Sequence, residues 1–179
     1  MAKSKPGEMN YASAGNGSSN HLATELFNMM AGTQIKHIPY KGTPPAMVDV
    51  SSGQVTFMFD QMTAALPLLQ SGKLKLLAVT TRQRIALSPS TPTMIESGIA
   101  DFEMASWQAV YAPKGTPKAV REKIATDITQ ALAMPEMAER YRGFGYNRFD
   151  LKPEEFGELI TREAQSWGRV ISDAKLKLD

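Results

Sequence analysis

Apolar and polar positions follow two rhythms over the first eighty residues, and the same order of rhythms recurs. MNYAS reads as a short strand, SAGNGSSNH (13–21) as a loop of small and polar residues, and the run after it as a helix. Leu22, Leu26 and Met29/Met30 fall at helical spacing. Ser18 stands where an N-cap belongs and Gly32 where a helix stops in the left-handed conformation. IKHIPY (35–40) then predicts a second strand, KGT a turn, and PPAMVDVSS a short helix ending at Gly53, with Thr43 as N-cap and Pro44 as first helical residue. VTFMFD (55–60) predicts a third strand, and a helix follows over 63–71, ending at Gly72, with Pro67 near its first turn. KLLAVTT (75–81) is nearly all apolar, as expected of a strand covered on both faces.

Strands that alternate with helices predict a parallel, right-handed α/β sheet. Ligands of such sheets sit at the carboxyl ends of the strands. Three loops, SAGNGSSNH, YKGT and FDQ, are therefore expected at one edge. The first has little side chain and opens directly into a helix, so backbone N–H groups and the positive end of a helix dipole are available to an anion.

Beyond Thr81 the rhythm is lost. RQRIALSPSTPTMIESGIADFEM reads as a connection with one short helix at PTMIESG, and SWQAVYAPKG (106–115) as a strand. TPKAVREKIATDITQALAM is an amphipathic helix with Val120, Ile124, Ile128 and Leu132 on one stripe. PEMAERYRGFG and KPEEFGELITREAQSWGRVISDAK are two more helices, the last with Phe156, Leu159, Ile160, Trp167 and Ile171 on its buried face. A mostly helical C-terminal third with a lone strand needs partners that the chain does not supply. The sequence looks unfinished.

Composition narrows the chemistry. With 179 residues, 42% hydrophobic and 21% charged, the chain is an ordinary globular protein. A net charge of +2 and no long Lys/Arg run argue against a nucleic-acid surface. The absence of cysteine removes disulfides and thiol catalysis, and two histidines with no H-E-x-x-H give no metal site. No cofactor is expected. No apolar run reaches the ~18 residues of a membrane span, and MAKSKPGEMNYA lacks the apolar core of a signal peptide. Ser18 or Ser19 with His21 and Asp60 form a nominal Ser/His/Asp set. Ser18 and His21, however, have capping spacing, and no G-x-S-x-G elbow is present, so a hydrolase is a remote alternative.

NYASAGNGSSNHLATELF, HIPYKGTPPAMVD, GQVTFMFDQMTAALPLLQSGKLKLLAVTT and SWQAVYAPKGTPKAV occur in this order and at family spacing. Together they resemble the extracytoplasmic solute receptors of the tripartite tricarboxylate transporters, the Bug-type binding proteins. The resemblance runs from about Pro6 to the C-terminus. It implies an α/β fold of the type II periplasmic-binding-protein kind, two hinged lobes that close on a small carboxylate, a periplasmic location and a membrane permease as partner. Family members are longer, so the resemblance also implies an N-terminally truncated chain. Residues 1–100 would then be one complete parallel-sheet lobe, the second, with its hinge anywhere in 75–105. Residues 101–179 would be the C-terminal, mostly helical part of the first lobe. The competing expectation is a non-transporting oligomer or partner-binding protein, joined through unpaired strands or swapped helices.

On this reading the ligand residues are Ser13, Gly15, Asn16, Gly17, Ser18, Ser19, His21, Tyr40, Lys41, Gly42 and Asp60. N–H groups from Gly15 to Ser19 and the hydroxyls of Ser13, Ser18 and Ser19 would hold a carboxylate through neutral donors. His21 faces either the cleft or its own lobe. Lys41 is either a solvated lysine or an aid to anion capture. Tyr40 is expected to line the cleft, because its hydroxyl needs a partner. Asp60 would repel a carboxylate, and so accepts from a ligand amino or hydroxyl group, organises water, or orients a loop. Trp107 and the methionines, among them Met29, Met30 and Met58, are expected in the core.

Overall fold

Ala12, in the middle of the first strand, has no solvent exposure at all, and the first half of the molecule is built around it. The computed structural model describes residues 2–146 and 151–176. The elements are β1 (Asn10–Ser13), α1 (Ser19–Ala31), β2 (Lys36–Pro39), α2 (Thr43–Ser51), α3 (Met62–Gln70), α4 (Lys118–Ala133), α5 (Pro135–Gly143) and α6 (Pro153–Asp173). β1 and β2 pair in parallel with Tyr11 opposite His37 and Ser13 opposite Pro39. Because side chains alternate across a strand, Tyr11 and Ser13 share one face and Ala12 points to the other. On the Ala12 face, Ala46 of α2 and Val55 complete a small core, flanked by Ile38, Tyr40, Val50 and Met58. On the Tyr11 face lies α1, whose His21 and Thr24 are buried. The pair of strands is thus a middle layer with a helix on each side.

Helix boundaries follow local chemistry. Ser18 caps α1, accepting from the His21 N–H, and Gly32 closes it at φ 61°. At α2 the N-cap is Gly42 rather than Thr43, which is the first helical residue, ahead of Pro44. α3 carries Pro67 inside it. At the start of α6 the Glu155 carboxylate accepts the Lys152 N–H.

Three expected strands do not form. Residues 55–60 lie parallel to β1, but the contact is one bridge, Tyr11 to Phe57, with Ala12 N–H donating to the Phe57 carbonyl. The Asn10 side chain takes the Thr56 N–H and hydroxyl at 2.8 and 2.9 Å, so a side chain holds a donor that a ladder would need. Residues 75–81 turn away from that sheet. Val79 exchanges backbone hydrogen bonds with Pro92 and Met94 instead, and Leu77, expected to be covered, is 65% exposed. Residues 105–112 are extended with no backbone hydrogen bond among the described residues, and Val110 and Tyr111 are exposed. PTMIESG forms turns rather than a helix, with Ser97 N–H donating to the Thr93 carbonyl.

The second half is attached by aromatic contacts. Phe102, without solvent exposure, stacks on Phe59 (5.9 Å) and meets Phe27 of α1 edge-on. α6 packs on α1 through contacts that leave Val170 buried, and Trp107 meets Phe156 edge-on at 5.2 Å. Trp107 is therefore half-buried on a helix. Met29 and Met30 are exposed, against expectation, although their neighbour Ala31 is buried, so they lie on the outward side of the last turn of α1, while Met58 does reach the core. No helix among the described residues is long and apolar enough to cross a membrane.

Candidate functional site

Three helices begin at the same edge of the molecule. β1 runs into loop 14–18 and α1, β2 into loop 40–42 and α2, and segment 55–60 into α3. Backbone bonds hold the first two loops side by side: Tyr40 N–H donates to the Ser13 carbonyl (3.0 Å) and Gly42 N–H to the Ala14 carbonyl (3.1 Å). Gly15, at φ 130°, lies so close to the second loop that an added Cβ would sit 3.3 Å from the Tyr40 carbonyl oxygen. Only glycine fits there. The third segment is tied by Asn20, whose side-chain amide donates to the Phe59 carbonyl (2.6 Å) and to Asp60 Oδ1 (2.9 Å). YKGT and FDQ therefore do meet SAGNGSSNH, as their places in the strand order imply.

The glycine loop is braced from within. Gly15 N–H donates to Ser13 Oγ, Gly17 N–H to His21 Nδ1 (3.0 Å), Ser18 N–H to the Gly15 carbonyl, and Ser18 Oγ–H to the same carbonyl (2.7 Å). Ser13 is completely buried and lies 2.6 Å from His37 Nε2. Its hydroxyl is a brace for the loop, so it does not reach a ligand as expected, and the same holds for the Gly15, Gly17 and Ser18 N–H groups. His21 is buried against His37 rather than open at the edge. Asn16 is exposed at the tip and bonded. What the loop leaves open is the Ser19 hydroxyl and the Ser19 and Asn20 N–H groups of the first turn of α1, which have no partner among the described residues.

The other loops contribute unevenly. Tyr40 donates its hydroxyl to Asp49 of α2 at 2.6 Å and rests on the Ala12 core. The expectation that it lines the cleft fails because a partner was available within its own layer. That bond, with burial and the Asp49 charge, holds its proton above the usual tyrosine range. Lys41 is exposed and unpaired among the described residues, and Gly42 turns at φ 106° beside it. Asp60 Oδ1 accepts from Asn20 and from the Gln61 N–H (2.8 Å), while Oδ2 is buried with no partner. Burial pushes the Asp60 carboxyl above its ordinary range, and the two hydrogen bonds pull against that. Of the roles considered for Asp60, holding the third loop to α1 is the one its hydrogen bonds support.

His37 is a participant that sequence reasoning missed. Its ring stacks on His21 with centroids 4.0 Å apart and an interplanar angle of 10°. Burial and the His21 charge lower it to about 4, and burial lowers His21 against the pull of Glu25. The signal was register: in a parallel pair, Tyr11 and Ser13 on one face of β1 face the side of β2 that carries His37.

Chemically, among the described residues this edge offers backbone donors and the Ser19 hydroxyl at helix N-termini, and an exposed lysine, Lys41, without a partner. That suits capture of an anion more than turnover. The family model described as the tripartite tricarboxylate transporter family receptor matches residues 1–176. The chain belongs to this family. Among its relatives, the protein BugT of Bordetella pertussis is 36% identical over 178 residues, 99% of this chain and 55% of BugT. Among receptors of known structure, R. palustris Rpa4515 with adipate superposes with a TM-score of 0.89 at 33% identity, over 98% of this chain and 58% of that one. The periplasmic binding protein BugD superposes with a TM-score of 0.85 at 34% identity, over 98% of this chain and 60% of BugD. The receptor fold is thus the fold of this chain, an α/β arrangement of the periplasmic-binding-protein type. The chain spans 52% and 55% of the length of the first two of the curated relatives it matches.

Proposed function

We propose that this chain is part of a solute receptor that binds a small carboxylate at the edge where α1, α2 and α3 begin. The observation that carries this reading is the convergence of the three loops, with the Ser19 and Asn20 N–H groups free and Lys41 unpaired. Neutral donors at helix N-termini bind a carboxylate without a buried counter-charge, and Lys41 adds attraction at longer range. Family membership and the adipate of Rpa4515 support the same class of ligand, a di- or tricarboxylate, amino acid or aromatic acid. The periplasm as location and a membrane permease as partner come with that reading. Residues 1–100 form one lobe, and 101–179 belong to the other.

Among the described residues the second half reaches this edge at the start of α3, where Gly145 and Tyr146 lie against Met62 and Thr63, and no hydrogen bond from it reaches Ser19 or Lys41. Affinity for adipate should therefore be weak, on the order of millimolar, about −4 kcal/mol. A calorimetric titration with adipate, run beside the uncharged diamide, tests this. Weak binding of adipate alone supports the reading. Equal binding of the diamide, or none of either, counts against a carboxylate site.

A second reading is an assembly of copies through unpaired backbone, favoured by one observation: segment 105–112 has no backbone hydrogen bond among the described residues. Sedimentation equilibrium distinguishes the two, since a monomer at working concentrations removes the second.

A further inference from the structure

Beneath the glycine loop three rings form one stack. Tyr11 of β1 lies on His37 of β2 at 4.8 Å and 18°, and His37 lies on His21 of α1 at 4.0 Å and 10°. Each imidazole holds a different point of the loop. His21 Nδ1 accepts the Gly17 N–H at 3.0 Å, and His37 Nε2 lies 2.6 Å from Ser13 Oγ, which in turn accepts the Gly15 N–H at 3.1 Å. A backbone N–H can only donate, so Nδ1 is the bare nitrogen of His21 and the ring proton sits on Nε2.

The two rings answer a proton differently. A proton added to His37 Nε2 makes that nitrogen a donor to Ser13 Oγ, whose own hydrogen then turns to the Gly15 carbonyl 3.1 Å away. The network survives. A proton added to His21 Nδ1 sets one N–H against another at 3.0 Å, with no acceptor to relieve it. The Gly17 tie must break.

The surroundings favour neutral rings. Glu25 of α1 accepts from the Tyr11 hydroxyl at 2.6 Å and is the one charge outside the stack that acts on it, drawing a proton toward His21. β1 contributes the Tyr11 hydroxyl, whose proton is held firmly by burial and by Glu25. Of the elements packed nearby, α6 lies on α1, and segment 55–60 brings Asp60 to α1, where it is bound by the side chain of Asn20. Two imidazoles stacked face to face cannot both be cationic cheaply.

We propose that His21, seated on His37, is a positioning residue for the glycine loop, and that a proton on its Nδ1 frees Gly17 and weakens anion capture. This rests on the carboxylate-site reading. It reverses the sign expected from charge alone, because an imidazolium acting only as a nearby cation would tighten carboxylate binding.

The test uses the whole chain, adipate as probe, and nitrogen NMR of the histidine rings and the Gly17 amide from about pH 7 to about pH 4.5. At the neutral end the His21 ring proton should sit on Nε2. On acidification the Gly17 amide protection factor should fall about tenfold, and the adipate dissociation constant should rise by a similar factor. His21→Asn places an amide oxygen near the position of Nδ1 and does not titrate, so Gly17 protection should become flat with pH and the adipate dissociation constant should follow only the protonation of adipate itself. A ring proton on Nδ1 at pH 7, Gly17 protection independent of pH in the unaltered chain, or tighter adipate binding in acid would each overturn the proposal. If adipate fails to bind at any pH, the carboxylate reading fails. The ring nitrogens and the Gly17 amide still decide the positioning role, and they do so without the variant.

Discussion

The unit formed by residues 10–60 and the helix α4 use similar residues and hold them in opposite ways. In the first, small residues at Ala12 and Ala46 let three layers approach, and loop polar groups are spent on one another: Ser13 on His37, Gly17 on His21, Asn20 on Asp60. In the second, no residue of α4 is buried. Val120 and Ile124 are over 40% exposed, and the ion pairs Lys118–Glu122 and Lys123–Asp127 lie on two different, solvent-exposed faces of the helix. Such i,i+4 pairs stabilise by roughly 0.3–0.5 kcal/mol each. Within the described residues α4 is held by helix propensity and its packing on α5, whereas the loop edge is over-determined. A donor that remains open inside an over-determined loop, like the Ser19 N–H, is for that reason the more informative observation. An open apolar side chain on α4 marks only a surface that nothing here covers.

Substitutions can break that comparison, and the largest effect should come at its centre. Tyr11→Ala removes a ring with no solvent exposure from the stack and unpairs Glu25; it should cost about 3–5 kcal/mol by urea denaturation. Asn20→Ala strands the Phe59 carbonyl and loosens Asp60 from α1, at about 1–3 kcal/mol. Gly17→Val sets a β-branched residue at φ 71°, at about 1–3 kcal/mol, and should abolish adipate binding in the folded variant; unchanged affinity would remove this loop from the site. On α4 the expectation is the reverse. Ile124→Ser should move stability by less than about 0.5 kcal/mol. A cost near that of Tyr11→Ala would mean that α4 is covered in solution.

Proton linkage sharpens the contrast within the loop edge. His37 is lowered from 6.5 to about 4 in the folded chain, so its contribution is complete above the unfolded value. As pH falls from about 6.5 toward 4 the unfolded chain takes up the proton first, and stability is lost. Asp60 has the opposite sign. Its carboxyl is raised, so folding favours the protonated form, and its ionisation costs stability as pH rises above the ordinary carboxylate value. Asp60→Asn should remove that cost and leave a steeper loss of stability on acidification, read as urea midpoints across pH 4 to 7, with a net change at neutrality within about 1 kcal/mol.

How far the sequence spoke depended on whether a feature was local. Ser18 and Gly32 bound α1 because a cap and a left-handed stop are written in neighbouring residues. The meeting of three loops at one edge followed from element order alone. Strands were less legible, because a strand exists only if a partner accepts it. Val55 to Asp60 has the composition of a strand, but Asn10 took its donor, and Leu77 and Val110 have apolar side chains without neighbours. At the candidate site, element order accounted for the meeting of the three loops, but residue types did not say which donors were free. Ser13 and Tyr40 were spent on His37 and Asp49, respectively, bonds that depend on register and on packing across layers.

The measurement closest to the central claim is an amide NMR titration of the chain with adipate. The account predicts shifts concentrated at Ser19, Asn20 and the Lys41–Thr43 turn, with smaller ones at Gly15 and Gly17. Shifts that instead gather around Arg82, Arg84 and Arg142, which line a hollow of about 420 Å³, would contradict it.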